Sequence, residues 1–358
     1  MTSGDRKNIL ALCLVAALLL SACTRRQLWV YTDEYRQVEL FTDWEEAESV
    51  PDGMTAVFMN ENLSGQYRQI TTAEIQHTWL NLPNGTFTGV VFDWSPSEYG
   101  RQAFLGLSRP DSIRVQALDG YHAINEVLYG EEAVPDGMPV RWDATLDEFI
   151  VSQIPEPMNA DTLHHVVIDT GVEGDLIPWE QKDSYGNTLT IYTLYAYPKP
   201  IIWRVHVLVY VRGIMYMDSM QASLAGLADG ILLSDLRHTA TPCLHALDDW
   251  EARSTLAEVG TVATTVCSFG LPGTGGADLP PLRLNLQFLL RDLETRVNYH
   301  YDLTENEVTV FPEDRVIRIE IPIDYPCPDL PYVDAKGSAG FDADVTPWVD
   351  GGNADVTM

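Results

Sequence analysis

Apolar and polar residues alternate with a period of two over most of the chain, which predicts half-buried, mainly antiparallel strands. Val38, Leu40, Thr42 and Trp44 form one phase, against Glu39, Phe41 and Asp43 in the other. Met54 to Met59 reads as a short strand after Asp52-Gly53. Ile75 to Leu82 runs through Pro83-Asn84-Gly85 into Thr86 to Phe92, a spacing that predicts a tight hairpin. Ser112 to Leu118 places Ile113, Val115 and Ala117 on one face, and Ala123, Ile124, Val127 and Leu128 fit a single short helix.

Pro155 and Pro157 then break the alternation. Proline stiffens a connection and removes a ladder donor, so a boundary is expected here, with one sandwich over 23–155 and a second over 156–335. The second half is more regular. Asn187–Tyr197 is a long strand, and Trp203, Val205, Val207, Val209 and Val211 share one phase. So do Leu282, Leu284, Leu286, Phe288 and Leu290, and so do Ile317, Ile319, Ile321 and Ile323. Ser223–Ser234 reads either as a weak helix or as a bulged strand. Many short strands with few helices predict an all-β chain of two tandem sandwiches.

The last segment, 336–358, turns to Gly, Ala and Asp. Phe341, Ala343, Val345 and Val349 still alternate with acids, so it reads either as a solvated tail or as a strand awaiting a partner.

The other end has a different grammar. Arg6 and Lys7 precede the apolar run Ile9–Leu20, and Leu20-Ser21-Ala22-Cys23 follows. A basic start, a short apolar run and small residues before the cut form a secretory signal over 1–22. A cysteine directly after the cut resembles the bacterial lipobox, which makes Cys23 the expected site of lipid attachment.

Composition limits the rest. The chain has 22 basic and 52 acidic side chains; without 1–22, 20 and 51 remain, a net charge of −31. That balance argues against nucleic-acid partners. At 46% hydrophobic residues, the chain still has the means to build large cores. Cys243, Cys267 and Cys327 lack metal-ligand spacing; they read as buried thiols, with a Cys243–Cys267 bridge as the alternative.

Catalytic motifs are wanting. The Gly270–Gly276 loop lacks the lysine and helix of a phosphate cradle, and Asp342-Ala343-Asp344 lacks the remainder of a calcium loop. His164-His165 would point to opposite sides of a strand, and His206 and His300 are isolated. No enzyme activity, metal or cofactor is expected. Trp79, Trp94, Trp179 and Trp250, placed near strand ends or loops, could stack on a sugar, but core or interface packing is the favoured reading of such rings.

Several of these stretches, taken in order, resemble the fimbrillin-like lipoproteins of type V pili, in the anchor and minor-subunit branch. They are the lipobox at Cys23, Leu82–Phe87 leading into Val90-Val91-Phe92, Leu224–Gly230 after a valine-rich strand, Tyr301–Thr304 before Val308, and the acidic Phe341–Trp348. The resemblance covers most of the mature chain. It implies two transthyretin-like sandwiches, display on the outer membrane, which Thr24 after the cysteine suits, and fimbrial subunits or other surface proteins as partners. Polymerising members exchange strands, which would make the 336–358 segment a donor strand. Shaft subunits are cut after a basic residue in the first domain; here only Arg36 and Arg68 stand near the first strands. That departure favours an anchor or accessory subunit, with a glycan-binding surface lipoprotein as the alternative.

Overall fold

The computed structural model describes residues 35–335, apart from 64, 121–148, 169–176, 183–185, 187, 248, 274–280 and 325. Cys23, the expected helix at 123–128 and the tail positions Phe341, Ala343, Val345 and Val349 therefore lie outside the described residues. The first strands are β1 (Tyr35–Thr42), β2 (Met54–Asn60), β3 (Tyr67–Thr72), β4 (His77–Pro83) and β5 (Gly85–Asp93). Next come β6 (Gln102–Leu105), β7 (Arg114–Ala117) and β8 (Ile150–Val151), then β9 (Asn159–Ile168), β10 (Ile177–Lys182), β11 (Thr188–Ala196) and β12 (Lys199–Pro200).

Nine of these strands build two sheets, β10-β11-β1-β4 and β12-β9-β5-β2-β3. Val38, Leu40, Leu80, Leu82, Tyr192 and Leu194 of the first sheet meet Ala56, Phe58, Phe87 and Val166 of the second in one core. Strands on both sides of residue 155 thus share a sandwich: β9 pairs with β5 and β11 with β1. The expected boundary at 155/156 gives way to one after Pro200. Its proline pattern marks the return of the chain to the first sandwich, not the departure from it.

The second half of the chain begins with β13 (Trp203–Arg212), β14 (Met217–Ala228), β15 (Gly230–Leu232), β16 (Pro242–Leu247) and β17 (Glu251–Arg253). It continues with β18 (Val259–Ser268), β19 (Arg283–Leu290), β20 (Arg296–Asp302), β21 (Val308–Phe311) and β22 (Val316–Ile321). Sheet β17-β18-β13-β22-β21 faces sheet β20-β19-β14-β16-β8. The inward phase is the one read from the sequence: Val205, Val209, Leu284, Phe288, Ile317 and Ile319 are fully buried in one cluster, each contributing about 1.5–3 kcal/mol of transfer free energy. Among the described residues the helical content is one 3-10 turn, Ile214–Tyr216. The chain is an all-β, double-sandwich protein.

Ser223–Ser234 proves to be the bulged strand. The β14–β16 register slips between Ala225 and Leu227, where Gly226 has φ +98° and a Cβ would lie 3.1 Å from the Pro281 carbonyl oxygen.

The expected hairpin at Asn84-Gly85 is instead a corner between sheets. β4 pairs with β1, and β5 pairs with β2 and β9. Leu80, Leu82 and Phe87 all enter the same core, so the chain must cross it rather than fold back beside itself. Gly85 adopts φ +151° at the crossing.

A third sheet, β15-β7-β6, joins the two halves. Ile113, Val115 and Ile231 from this region pack against Val57, Met59, Val90 and Phe92, the second face of β2 and β5. Every residue of β2 is buried for this reason. β8, which parallels β16, adds a further tie between the halves.

Candidate functional site

The even positions of β1 fill the first core, so by alternation the odd ones point outward. The outward set is unexpectedly aromatic. Phe41 lies between His77 of β4 and Tyr195 of β11 in the paired register. Its ring stacks on both, with centroids 4.9 Å from His77 and 5.5 Å from Tyr195 and planes within 21° and 20°. One step along β1, Glu39 pairs with Trp79 on one side and Thr193 on the other, and Ile177 of β10 lies beyond Thr193. Another step places Gln37 beside Asn81, while Trp179 pairs with Ile191.

Polar groups are fixed among these rings. His77 Nε2 sits 2.7 Å from Glu39 Oε1, and the Glu39 side chain is only 12% exposed. Trp79 meets the His77 ring edge-on, with centroids 5.4 Å apart. Ile177, Trp179, Tyr195 and Tyr197 remain exposed. None of these outward residues belongs to the three hydrophobic clusters formed by the described residues. Aromatic rings in this number are unusual on an outer sheet face, which commonly carries polar residues, although Ile191 and Thr193 at its centre are buried.

The four tryptophans singled out in the sequence therefore part company. Trp79 and Trp179 share this face, inside strands rather than at their ends. Trp94 stands at the end of β5 with φ 61°, and Trp250 packs on the second core while its indole donates to the Leu247 carbonyl at 3.2 Å. Phe41, His77 and Tyr195 were missed. The available signal was Phe41 itself, an aromatic in the polar phase of an amphipathic strand.

Other chemistry-bearing groups are occupied structurally. The Asp93 carboxylate accepts from the Tyr99 hydroxyl at 2.6 Å and from the backbone and side-chain nitrogens of Asn159 at 3.0 and 2.7 Å. Burial pushes its pKa up, and those donors partly oppose the shift. Asn159 also accepts from the Glu48 backbone N–H, and Glu48 pairs with Arg204 of β13, so the chain of bonds runs from one sandwich to the other.

His245 is fully buried. Its Nδ1 donates to the Ser152 carbonyl at 2.9 Å, its Nε2 lies 3.5 Å from Cys243 Sγ, and burial pulls its pKa to about 4. Burial also pushes the Cys243 thiol up to about 12. Cys243, Cys267 and Cys327 are free thiols. His206 and His300 contact Thr265 and Asn285. Among the described residues no group of three His, Cys, Asp or Glu is placed to hold a metal.

These features define an all-β double sandwich with an aromatic outer face. A family model described as a domain of unknown function (DUF5119) matches residues 22–247, more than half of the chain, and the chain belongs to that family. No curated protein matches the chain. The crystal structure of a candidate adhesin from Bacteroides ovatus is similar at 15% identity and a TM-score of 0.52, over 84% of this chain and 94% of that one. A candidate polysaccharide-binding protein of Bacteroides thetaiotaomicron matches at 8% identity and a TM-score of 0.41, over 80% and 90% of the two chains. The fimbrial anchor protein Mfa2 of Porphyromonas gingivalis matches at 12% identity and a TM-score of 0.41, again over 80% and 90%. The likeness to the first of these is one of fold.

Proposed function

We propose that this chain is a non-enzymatic surface lipoprotein, held in the outer membrane through Cys23, that serves as an anchor or accessory subunit of a fimbria. One observation carries the reading. β1 is not a peripheral strand but lies between β4 and β11, and Arg36 is paired in register with Leu82 inside it. Cutting after Arg36 would require the strand to leave the middle of its sheet, with Val38 and Leu40 drawn out of the core. A subunit that resists cutting at Arg36 in this way would keep the link between its body and Cys23, provided that the edge-strand Arg68 is also left uncut.

Eleven residues separate Cys23 from Tyr35, a tether of at most about 40 Å when extended. The body would therefore stand close to the membrane, as a basal or accessory component does. The likeness in fold to the Bacteroides ovatus candidate adhesin supports an adhesive role. Assembly would use the alternating tail at Phe341, Ala343, Val345 and Val349, added to an open sheet edge of a neighbouring subunit.

Fractionation of the native cell surface tests the proposal. The chain is expected in sheared fibre preparations only when fibre bases are extracted with detergent, and to be labelled by a tagged fatty acid. Recovery as an unlabelled, freely secreted protein would overturn it.

A further inference from the structure

We infer that the outer face of the β10-β11-β1-β4 sheet binds carbohydrate, specifically chains of uncharged pyranose units. This goes beyond the anchor role and does not depend on lipid attachment.

The face sets rings and polar groups side by side on neighbouring strands. Glu39 is paired with Trp79, Gln37 with Asn81, and Thr193 with Ile177, while Phe41 separates His77 from Tyr195. A pyranose has the matching character: an apolar C–H face that stacks on an aromatic ring, and a rim of hydroxyls that donate to a carboxylate or bond with amides.

The ring geometry divides the labour. Tyr195, Phe41 and His77 spend their facing surfaces on one another. The rings left to a ligand are the far side of Tyr195 together with Trp79 and Trp179, and the latter is 38% exposed. Phe41 holds Tyr195 by stacking and His77 meets Trp79 edge-on, so these two rings need little ordering on binding.

Charge selects among occupants. The chain carries a net charge of −30, Glu39 lies within the patch, and no Lys or Arg occupies the outward positions of the described sheet. Anionic polysaccharides, phosphate-bearing lipids and nucleic acid are disfavoured.

The test is affinity electrophoresis of the full mature chain through gels containing a neutral β-glucan, a mannan or a galactan, with polygalacturonate as the anionic control. At least one neutral polymer should retard the protein. Trp79→Ala and Tyr195→Ala should each weaken retardation about tenfold, Trp79→Phe should retain most of it, and Trp94→Ala should leave it unchanged. Matched melting curves guard against misfolding, and Trp179→Ala at the exposed edge is a further variant should Trp79→Ala fail to fold. Retardation by polygalacturonate alone, by none of the polymers, or to the same degree in every variant would overturn the inference. So would a dimer in light scattering that Tyr195→Ala dissolves, which would assign the face to self-association.

Discussion

Phe41 of β1 stacks on Tyr195 of its parallel neighbour β11, with ring centroids 5.5 Å apart and planes inclined by 20°. Because His77 stacks on the opposite side, Phe41→Ala removes two ring contacts at once. At about 0.5–1.5 kcal/mol for each aromatic pair, the variant should lose about 1–3 kcal/mol. Urea unfolding at constant slope should show the change. An unaltered midpoint would mean that the column is not part of what holds the sheet together.

Gly85 marks a second sensitive point. At φ +151°, a Cβ there would lie 2.9 Å from Asn60 Nδ2, so Gly85→Val meets both backbone strain and a packed neighbour. A loss of about 1–3 kcal/mol is expected from the backbone alone. Thermal melting of the whole chain is the appropriate measurement, since β9 to β12 complete the sandwich to which Gly85 belongs.

That glycine also shows where sequence reading stops. The strands themselves were legible, because a period of two fixes which face of β13, β19 and β22 is buried. Partners were not. Pro83-Asn84-Gly85 is compatible with a hairpin or with a corner, and only the shared core of Leu82 and Phe87 decides it. Similarly, Pro155 and Pro157 announce a break in pairing without saying which sheet the chain rejoins. The aromatic face was half legible: Trp79 and Trp179 could be named, but their placement on one surface depends on β11 pairing parallel to β1, a contact between residues some 150 apart in the chain.

His245 predicts a dependence on pH. Its imidazole titrates at about 4 in the fold, below its ordinary 6.5, because burial penalises the cation. The unfolded chain therefore takes up a proton first as pH falls. The stability from neutral His245 is complete above about 6.5 and is lost progressively towards 4, by roughly 3 kcal/mol in all. His238 and His206 shift in the same direction, while Asp93, with its pKa pushed up, opposes the loss at the acid end. His245→Asn should be less stable at pH 7.5 yet show a shallower decline between 6.5 and 4. An equal decline in the variant would assign the pH dependence elsewhere.

The tail gives a prediction about assembly. Phe341→Asp with Val345→Asp would place unpaired charge in any groove the tail fills, so fibres should fail to incorporate the variant while its melting temperature stays unchanged. A lowered melting temperature would mean that the tail folds onto its own chain. Fast hydrogen exchange over 336–358 in both free protein and fibres would remove the donor-strand proposal.

The central claim is that the body remains joined to a lipidated Cys23, and intact-mass spectrometry of the protein extracted from its native membrane tests it most directly. The account predicts one species that begins at Cys23, carries the mass of its acyl groups and extends unbroken through β1. A species that begins after Arg36, or an unmodified Cys23, would contradict it.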